Sequence, residues 1–327
     1  MMTDFHPVSD LPVLSGNAMA SLHDMGDGVV CFRAHTKMNT FDPGVFDLLE
    51  DTLDRAGAGV RAMVLANDDP KAFSAGADLT FFTRMLDSPG GPEKIGAYGR
   101  RGQGLFQRMR RAPVPVVAAV HGFALGGGCE VQMHADASVA HAGAGIGLPE
   151  AGIGLVPGWG GCTRLYARMV QADPTASPVD LARRAFGPLM SGRVSSGAAE
   201  ARAMGLLRAG DVIVADRADL PRIARERALS LVPGYAPPGP VSLPVAGQAG
   251  AAEILDGIGA DDTLTDTDRA VAGKLAAILT GGARGQGVAM EADLLALEVE
   301  TLAELVTWPQ VRARVDHMLA TGQRLRN

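Results

Sequence analysis

Apolar positions along the chain follow two periods, and the two alternate. Residues 18–24 and 29–34 are short β-prone runs around Gly26-Asp27-Gly28, which predicts an opening hairpin. Val45, Leu48, Leu49 and Leu53 recur at helical spacing within 43–56, with Gly57 as the stop. Residues 61–66 form an apolar run closed by turn residues, as a strand buried on both faces does. A loop at 68–78 leads into a helical stretch, and 93–111 reads as another helix. The strongest strand is 114–120. It runs into three glycines at 126–128, beyond which 129–134 is helical. Helices are expected again at 195–207 and 219–231, around a β-like 211–215. Strand–loop–helix units in this order predict an α/β fold whose parallel strands follow one another in sequence.

The pattern changes at Pro233. Pro233, Pro237, Pro238, Pro240 and Pro244 crowd a segment in which no regular structure is expected. After it, 267–279, 288–306 and 309–319 are helical by spacing. The expected organisation is a core at 14–232, a Pro/Gly-rich crossover at 233–265 and a helical carboxy-terminal region at 266–327.

Composition narrows the class. Of 327 residues, 47% are hydrophobic and 20% charged, a globular balance rather than a disordered one. Thirty Lys and Arg against 36 Asp and Glu leave a net charge of -6. That argues against nucleic acid or an anionic membrane as partner, since both need summed positive potential. Cys31, Cys129 and Cys162 are too scattered for a disulfide framework or a CxxC pair, so a reducing compartment is expected. Residues 1–12 lack the basic-then-apolar order of a secretory leader, and no run reaches the ~20 apolar residues of a membrane helix. The expectation is a cytoplasmic protein.

Familiar chemistry lacks a carrier. The nearest dinucleotide-type pattern, Gly57-Ala58-Gly59-Val60-Arg61-Ala62, follows a helix and precedes a strand, the reverse of what pyrophosphate binding needs. There is no GxxxxGK[ST] loop, no GxSxG elbow and no HExxH pair, and no metal is expected.

Three glycine-rich segments remain: Lys71 to Leu79 (K-A-F-S-A-G-A-D-L), Val120 to Glu130 (V-H-G-F-A-L-G-G-G-C-E) and Ile146 to Gly161 (I-G-L-P-E-A-G-I-G-L-V-P-G-W-G-G). In each, small residues leave backbone N–H groups open to a ligand. Gly126 to Gly128 and Gly76-Ala77 each open a predicted helix, where the dipole favours an anion or a developing oxyanion. Two such donors on one oxygen make an oxyanion hole. Glu130 closes the second segment and Glu150 lies within the third; Asp136 is the one other acid between Val114 and Leu155. Carboxylates in such surroundings suit proton transfer near neutral pH.

From about Ala18 to Leu231 these segments resemble the crotonase (enoyl-CoA hydratase/isomerase) superfamily, and 190–207 (M-S-G-R-V-S-S-G-A-A-E-A-R-A-M-G-L-L) is similar to a later family segment. The resemblance implies a ββα spiral core with a helical carboxy-terminal extension. It makes Ala77 and Gly127 the oxyanion-hole N–H groups, and Glu130 and Glu150 the two glutamates that hydratases use. It places coenzyme A against Ser74, Ala75, Gly76 and Asp78, with Lys37 of Thr36-Lys37-Met38-Asn39 as a further contact at a spacing one residue tighter than usual. Leu148 and Trp159 would face the acyl chain, and Trp159 interrupts a stretch that is usually all small. The implied reaction is hydration of a trans-2-enoyl-CoA in fatty-acid β-oxidation. A 3,2-enoyl-CoA isomerase or a non-catalytic CoA-ester-binding subunit are the alternatives. No cofactor is implied beyond the coenzyme A thioester of the substrate, and a homo-oligomer is expected. The carboxy-terminal helices are similar to those of the hydratase half of bacterial 3-hydroxyacyl-CoA dehydrogenase fusions, which leaves open a dehydrogenase partner, fused or associated.

Overall fold

The computed structural model describes residues 7–259 and 261–327; residues 1–6, part of the amino-terminal stretch read above, and Ala260, within 233–265, lie outside the described residues. The chain forms two compact units, each discontinuous in sequence. The first takes the chain up to 78, then 104–147 and 194–239; the second takes 79–103, 148–193 and 240–327.

In chain order, the strands of the first unit are β1 (Val13–Gly16), β2 (Ala20–Asp24), β3 (Val29–Ala34), β4 (Ala62–Leu65), β5 (Ala72–Ser74), β6 (Val116–Val120), β7 (Phe123–Leu125), β8 (Ala137–His141), β9 (Gly145–Gly147) and β10 (Val212–Val214). Seven of them make one sheet in the order β1-β2-β3-β4-β6-β8-β10, and the other three a second sheet, β5-β7-β9. The hairpin expected around Gly26-Asp27-Gly28 is β2 and β3, antiparallel; from β3 onward the large sheet is parallel and sequential. From β4 the chain repeats one step: a strand in the large sheet, a strand in the small sheet, then a helix. This ββα repeat sets everything that follows.

β6 is buried at all five positions, which is why Val-Val-Ala-Ala-Val shows no alternation. Cys31, Val64, Val117 and Val139 from adjacent strands form a core with Leu220, Ala224 and Ala228, spaced four apart on the helix Leu220–Leu231. The helix Pro43–Asp54 starts where Asp42 accepts from the Val45 N–H at 2.9 Å and Pro43 presets the first turn.

Several elements depart from expectation. The loop read at 68–78 contains β5, and β7 and β9 were not foreseen either: three-residue strands are too short to show a period. The helix expected at 195–207 is only Ala198–Ala203. Its predicted start is taken by pairing, since the Ser195 N–H donates to Ile146 O at 2.9 Å and Ser195 Oγ accepts from the Ile146 N–H at 3.0 Å.

The second unit is mainly helical: Leu79–Leu86, Gly161–Ala172, Pro178–Ser191, Gly247–Asp256, Asp266–Thr280, Glu291–Leu305 and Pro309–Thr321, with the part of Gly91–Arg110 up to Gln103. Asp266–Thr280 packs against four of these, Gly247–Asp256, Pro178–Ser191, Gly161–Ala172 and Glu291–Leu305. A Thr265/Asp268 capping box starts it and left-handed Gly281 stops it. Two strands, β11 (Ser242–Val245) and β12 (Gly287–Met290), pair antiparallel. The proline-rich segment therefore does carry regular structure at its end. Pro244 is tolerated because each strand of a two-stranded ribbon has an unpaired side. The helix expected from 288 begins at Glu291, because the preceding residues are β12. Among the described residues no helix is long and apolar enough to cross a membrane.

A buried ion pair joins two of these helices: Arg164 Nη1 lies 2.6 Å from Glu291 Oε1, both side chains almost fully covered. Removing one partner leaves a buried charge uncompensated. Glu291→Ala is expected to lose about 3–5 kcal/mol in urea unfolding, whereas the double change Arg164→Met with Glu291→Leu should come out near neutral or stabilising.

Candidate active site

The small sheet carries the first unit's share of the candidate residues. Residues 36–41 run beside β5 and the residues after it. Ala75 N–H donates to Met38 O at 3.0 Å and Phe41 N–H to Gly76 O at 2.8 Å. Asn39 Nδ2 donates to Ala72 O at 2.9 Å, while the Ser74 hydroxyl donates to Asn39 O at 2.8 Å and accepts from the Gly76 N–H at 3.1 Å. Met38 and Asn39 take left-handed backbone to make these bonds, φ 56° and 52°. Ser74 is buried with its hydroxyl engaged in shaping the loop; Ala75, Ala77 and Asp78 are half-buried, and Lys37 is exposed on the turn Lys37–Asn39. Phe41 and Ala77 form a parallel bridge in which Phe41 bonds the neighbours of Ala77. The N–H of Ala77 therefore points away from Phe41.

The glycine run lies directly against this loop. β7 pairs with both β5 and β9, and Gly126, at φ 53°, donates its N–H to Gly147 O at 3.0 Å. The helix Gly127–His134 begins there, longer by two residues than the sequence pattern gives, and every residue in it is buried. A Cβ on Gly76 would collide with Gly127 N and stand 2.8 Å from Leu125 O; one on Gly128 would collide with Ser74 O. Only glycine allows the two backbones to touch. The peptides of Ala77 and Gly127 are thereby neighbours, and the first N–H groups of the helix have no acceptor within it. Glu130 occupies its first turn, 2% exposed, with its own N–H bonded to Gly126 O at 2.8 Å. One turn on, buried His134 donates from Nδ1 to Glu130 O at 2.8 Å and meets Gln107 Nε2 at 3.0 Å. This arrangement can bind a carbonyl oxygen through two backbone donors beside a dry carboxylate.

Asp136, the other acid of this region, is structural. Its carboxylate accepts from the Val116 N–H at 2.8 Å and from Tyr235 Oη, and burial raises its carboxyl above the ordinary range. His121, between β6 and β7, is buried against Asp69 O (2.8 Å from Nε2) and Arg217 Nη2 (3.1 Å). Burial, then the Arg217 charge, pushes its pKa down to about 4.

Leu148, Glu150 and Trp159 belong to the second unit. Glu150 is half-buried and opens a short turn, Glu150–Ile153, that closes at left-handed Gly154, with the Leu155 N–H on Glu150 O at 3.0 Å. Gly152 leaves room for the Arg324 guanidinium, which donates to Gly192 O at 2.9 Å. Leu148 and Trp159 are buried, the indole edge-on to Tyr98 with centroids 5.5 Å apart.

Two residues of consequence were not foreseen from the sequence. Asn39 holds β5, and Glu298, fully buried, holds the loop after Trp159: its Oε2 accepts from the Gly160 N–H at 2.9 Å and its Oε1 from the Thr163 N–H at 2.6 Å. The signal was present. Glu298 sits on the same stripe as Leu294, Leu295, Leu302 and Leu305, an acid where the helix period asks for an apolar residue.

A ββα repeat sets the Gly76 and Gly127 backbones in contact at the head of a buried helix that bears Glu130. Residues 26–233 match the sequence model of the enoyl-CoA hydratase/isomerase family, and the chain belongs to that family. A Bacillus subtilis (strain 168) protein named as a probable 3-hydroxyacyl-CoA dehydrogenase is 31% identical over 96% of this chain, which spans only 40% of that relative's length. Among solved structures, a carnitinyl-CoA dehydratase from Mycobacterium thermoresistibile matches with TM-score 0.64 at 19% identity, covering 94% of this chain and 91% of its own. An enoyl-CoA hydratase from Mycobacterium avium subsp. paratuberculosis K-10 matches with TM-score 0.60 at 20% identity, over 93% and 100%. Both likenesses establish the crotonase fold.

Two predictions follow from this geometry. With the Ala77 and Gly127 N–H groups as the proposed oxyanion donors, Gly76→Ala should lower CoA-ester turnover by roughly 10²–10³-fold. Gly59→Ala, also at positive φ but with open space around it, should leave turnover intact. For His121, the folded pKa lies below the unfolded value, so its contribution is present above about pH 6.5 and fades as the pH falls toward 4. His121→Gln should therefore shrink the difference between urea midpoints at pH 7 and pH 4.5.

Proposed function

We propose that the chain hydrates a trans-2-enoyl-CoA to the 3-hydroxyacyl-CoA, a step of fatty-acid β-oxidation. The observation that carries this reading is the contact of the Gly76 backbone with Gly127 N, at the head of the buried helix that bears Glu130. The N–H groups of Ala77 and Gly127 polarise the thioester carbonyl. Water adds to C3 of the double bond, and the electron pair moves through C2 onto the thioester oxygen, giving an enolate that the same two donors stabilise. Glu130 takes a proton from the water as its oxygen bonds to C3. Glu150 gives a proton to C2 as the enolate collapses to the carbonyl. Only three peptide units separate Glu150 from Gly147, whose carbonyl binds the Gly126 N–H.

Ser74, Ala75, Gly76, Asp78 and Lys37 are proposed to receive coenzyme A, with Leu148 and Trp159 toward the acyl chain. The reading asks for no cofactor beyond the substrate's own thioester. It is compatible with a homo-oligomer and with a 3-hydroxyacyl-CoA dehydrogenase partner, to which the name of the Bacillus relative points.

The test is the loss of conjugated-enoyl absorbance of crotonyl-CoA. Glu150→Gln and Glu130→Gln should each lower turnover by several orders of magnitude while CoA-ester affinity changes little. Turnover that persists in both variants overturns the two-glutamate site. Migration of a 3-enoyl double bond with no hydration would transfer the reading to an isomerase, and tight ester binding with no turnover to a binding subunit.

A further inference from the structure

β5 is an edge strand of the small sheet and pairs there with β7 alone. Two of its three carbonyls accept from side-chain amides. Asn39 Nδ2 donates to Ala72 O at 2.9 Å, and Asn67 Nδ2 donates to Phe73 O at 2.7 Å. The two asparagines leave different strands of the large sheet: Asn67 follows β4 almost directly, and Asn39 closes the turn Lys37–Asn39 after β3. Asn39 is 5% exposed and Asn67 9%. Asn67 is itself held. Its Oδ1 accepts from the Asp69 N–H at 3.0 Å, and the Asp69 carboxylate accepts from the N–H groups of Lys71 and Ala72 at 2.7 and 2.9 Å.

The peptide between Gly76 and Ala77 carries one of the two proposed oxyanion donors. A trans peptide points its carbonyl and its N–H in opposite directions, so whatever holds Gly76 O also aims the Ala77 N–H. Gly76 O accepts from the Phe41 N–H at 2.8 Å. The residues just before Phe41 are bonded to the same loop. Met38 O accepts from the Ala75 N–H at 3.0 Å, and Asn39 O accepts from the Ser74 hydroxyl at 2.8 Å. Met38 and Asn39 do this in left-handed backbone, φ 56° and 52°, which costs free energy in a residue other than glycine. The bond from the Asn39 amide to Ala72 O helps to hold that strained pair in place.

We propose that Asn39 and Asn67 are positioning residues: they hold β5 and residues 38–41 in register, and through the Phe41 bond to Gly76 O they fix where the Ala77 N–H points. This rests on the reading of a CoA-ester site given above and adds the residues that aim its donor. Neither side chain has to touch the substrate. A hydrogen bond weakens steeply once its angle falls toward ~120°, so a small rotation of the Gly76–Ala77 peptide is enough to blunt the donor. The loss falls on the transition state, where charge develops on the oxygen, more than on binding of the ground state.

The experiment reads the thioester carbonyl of saturated butyryl-CoA, which cannot be hydrated, by isotope-edited infrared spectroscopy. Bound to the wild-type protein, that carbonyl stretch should lie below its frequency in water, because the proposed donors polarise it. Asn39→Gly keeps left-handed backbone accessible and removes only the side chain. Asn67→Ala removes the second amide and serves if the first variant does not fold. Each should lose most of the downshift and lower crotonyl-CoA kcat by roughly 10²-fold, while butyryl-CoA affinity stays within about threefold. A full downshift with near wild-type kcat in either folded variant overturns the proposal. So does a fall in affinity that matches the fall in turnover with the downshift kept, the mark of a merely structural role. A wild-type downshift without hydration of crotonyl-CoA would overturn the hydratase reading alone; no downshift in the wild-type protein would overturn both.

Discussion

Everything in the first unit's site depends on two backbones touching where no side chain intervenes. Gly76 lies on Gly127 N and Gly128 lies on Ser74 O, each closer than a Cβ allows. The small sheet brings them there: β5, β7 and β9 are three residues long, but their parallel register fixes where each chain leaves the sheet. Around that contact the rest is support. Asn39 and Met38 take left-handed backbone to lock β5, and Gly147 O holds the Gly126 N–H. Donors fixed in this way need no reorganisation when charge develops on an oxygen between them, which is where most of their effect comes from.

The second unit solves a different problem with buried acids. Helix Gly161–Ala172 begins on glycines and lacks a cap of its own, and Arg164 in its first turn is almost fully covered. Both needs are met from the helix Glu291–Leu305, by Glu298 for the N–H groups and by Glu291 for the guanidinium, two turns apart on one face. A helix whose apolar stripe contains two acids is poorly suited to stand alone. It is suited to one neighbour, and so the carboxy-terminal region is tied in register to the loop that carries Trp159.

What was legible in the sequence was what has a period or a composition. The hairpin β2–β3, the uniformly buried β6 and the helices Pro43–Asp54 and Asp266–Thr280 stand within a few residues of their expected places, because alternation, apolar runs, caps and stops are local. The second sheet was not legible: three residues carry no period, and β5 read as loop. β11 and β12 were hidden for another reason, since Pro244 argues against a strand and only the ribbon's free side makes it acceptable. The glycine loops announced a site because glycine is conspicuous where it is crowded. Glu298 and Asn39 stayed silent because their partners lie 138 and 33 residues away, respectively, and no local rule reports a partner at that distance.

This difference bears on how such a chain acquires its specificity. A site made of backbone N–H groups is invisible to side-chain chemistry; it survives any change that keeps the glycines and the sheet register. The chemistry proposed for such a site is then free to vary with a few side chains, here the proposed Glu130, in a helix that is buried throughout, and the proposed Glu150, on a short turn with left-handed Gly154 behind it. The two acids sit in contrasting supports. One is fixed by a dry helix bonded along its length to Gln107, Leu206 O and Ser138; the other hangs on a turn held by its own backbone bonds and lying against the Arg324 guanidinium. Of the two, the turn can be reshaped at less cost to folding, so variation in what the site does to its substrate is expected to concentrate there rather than in the helix.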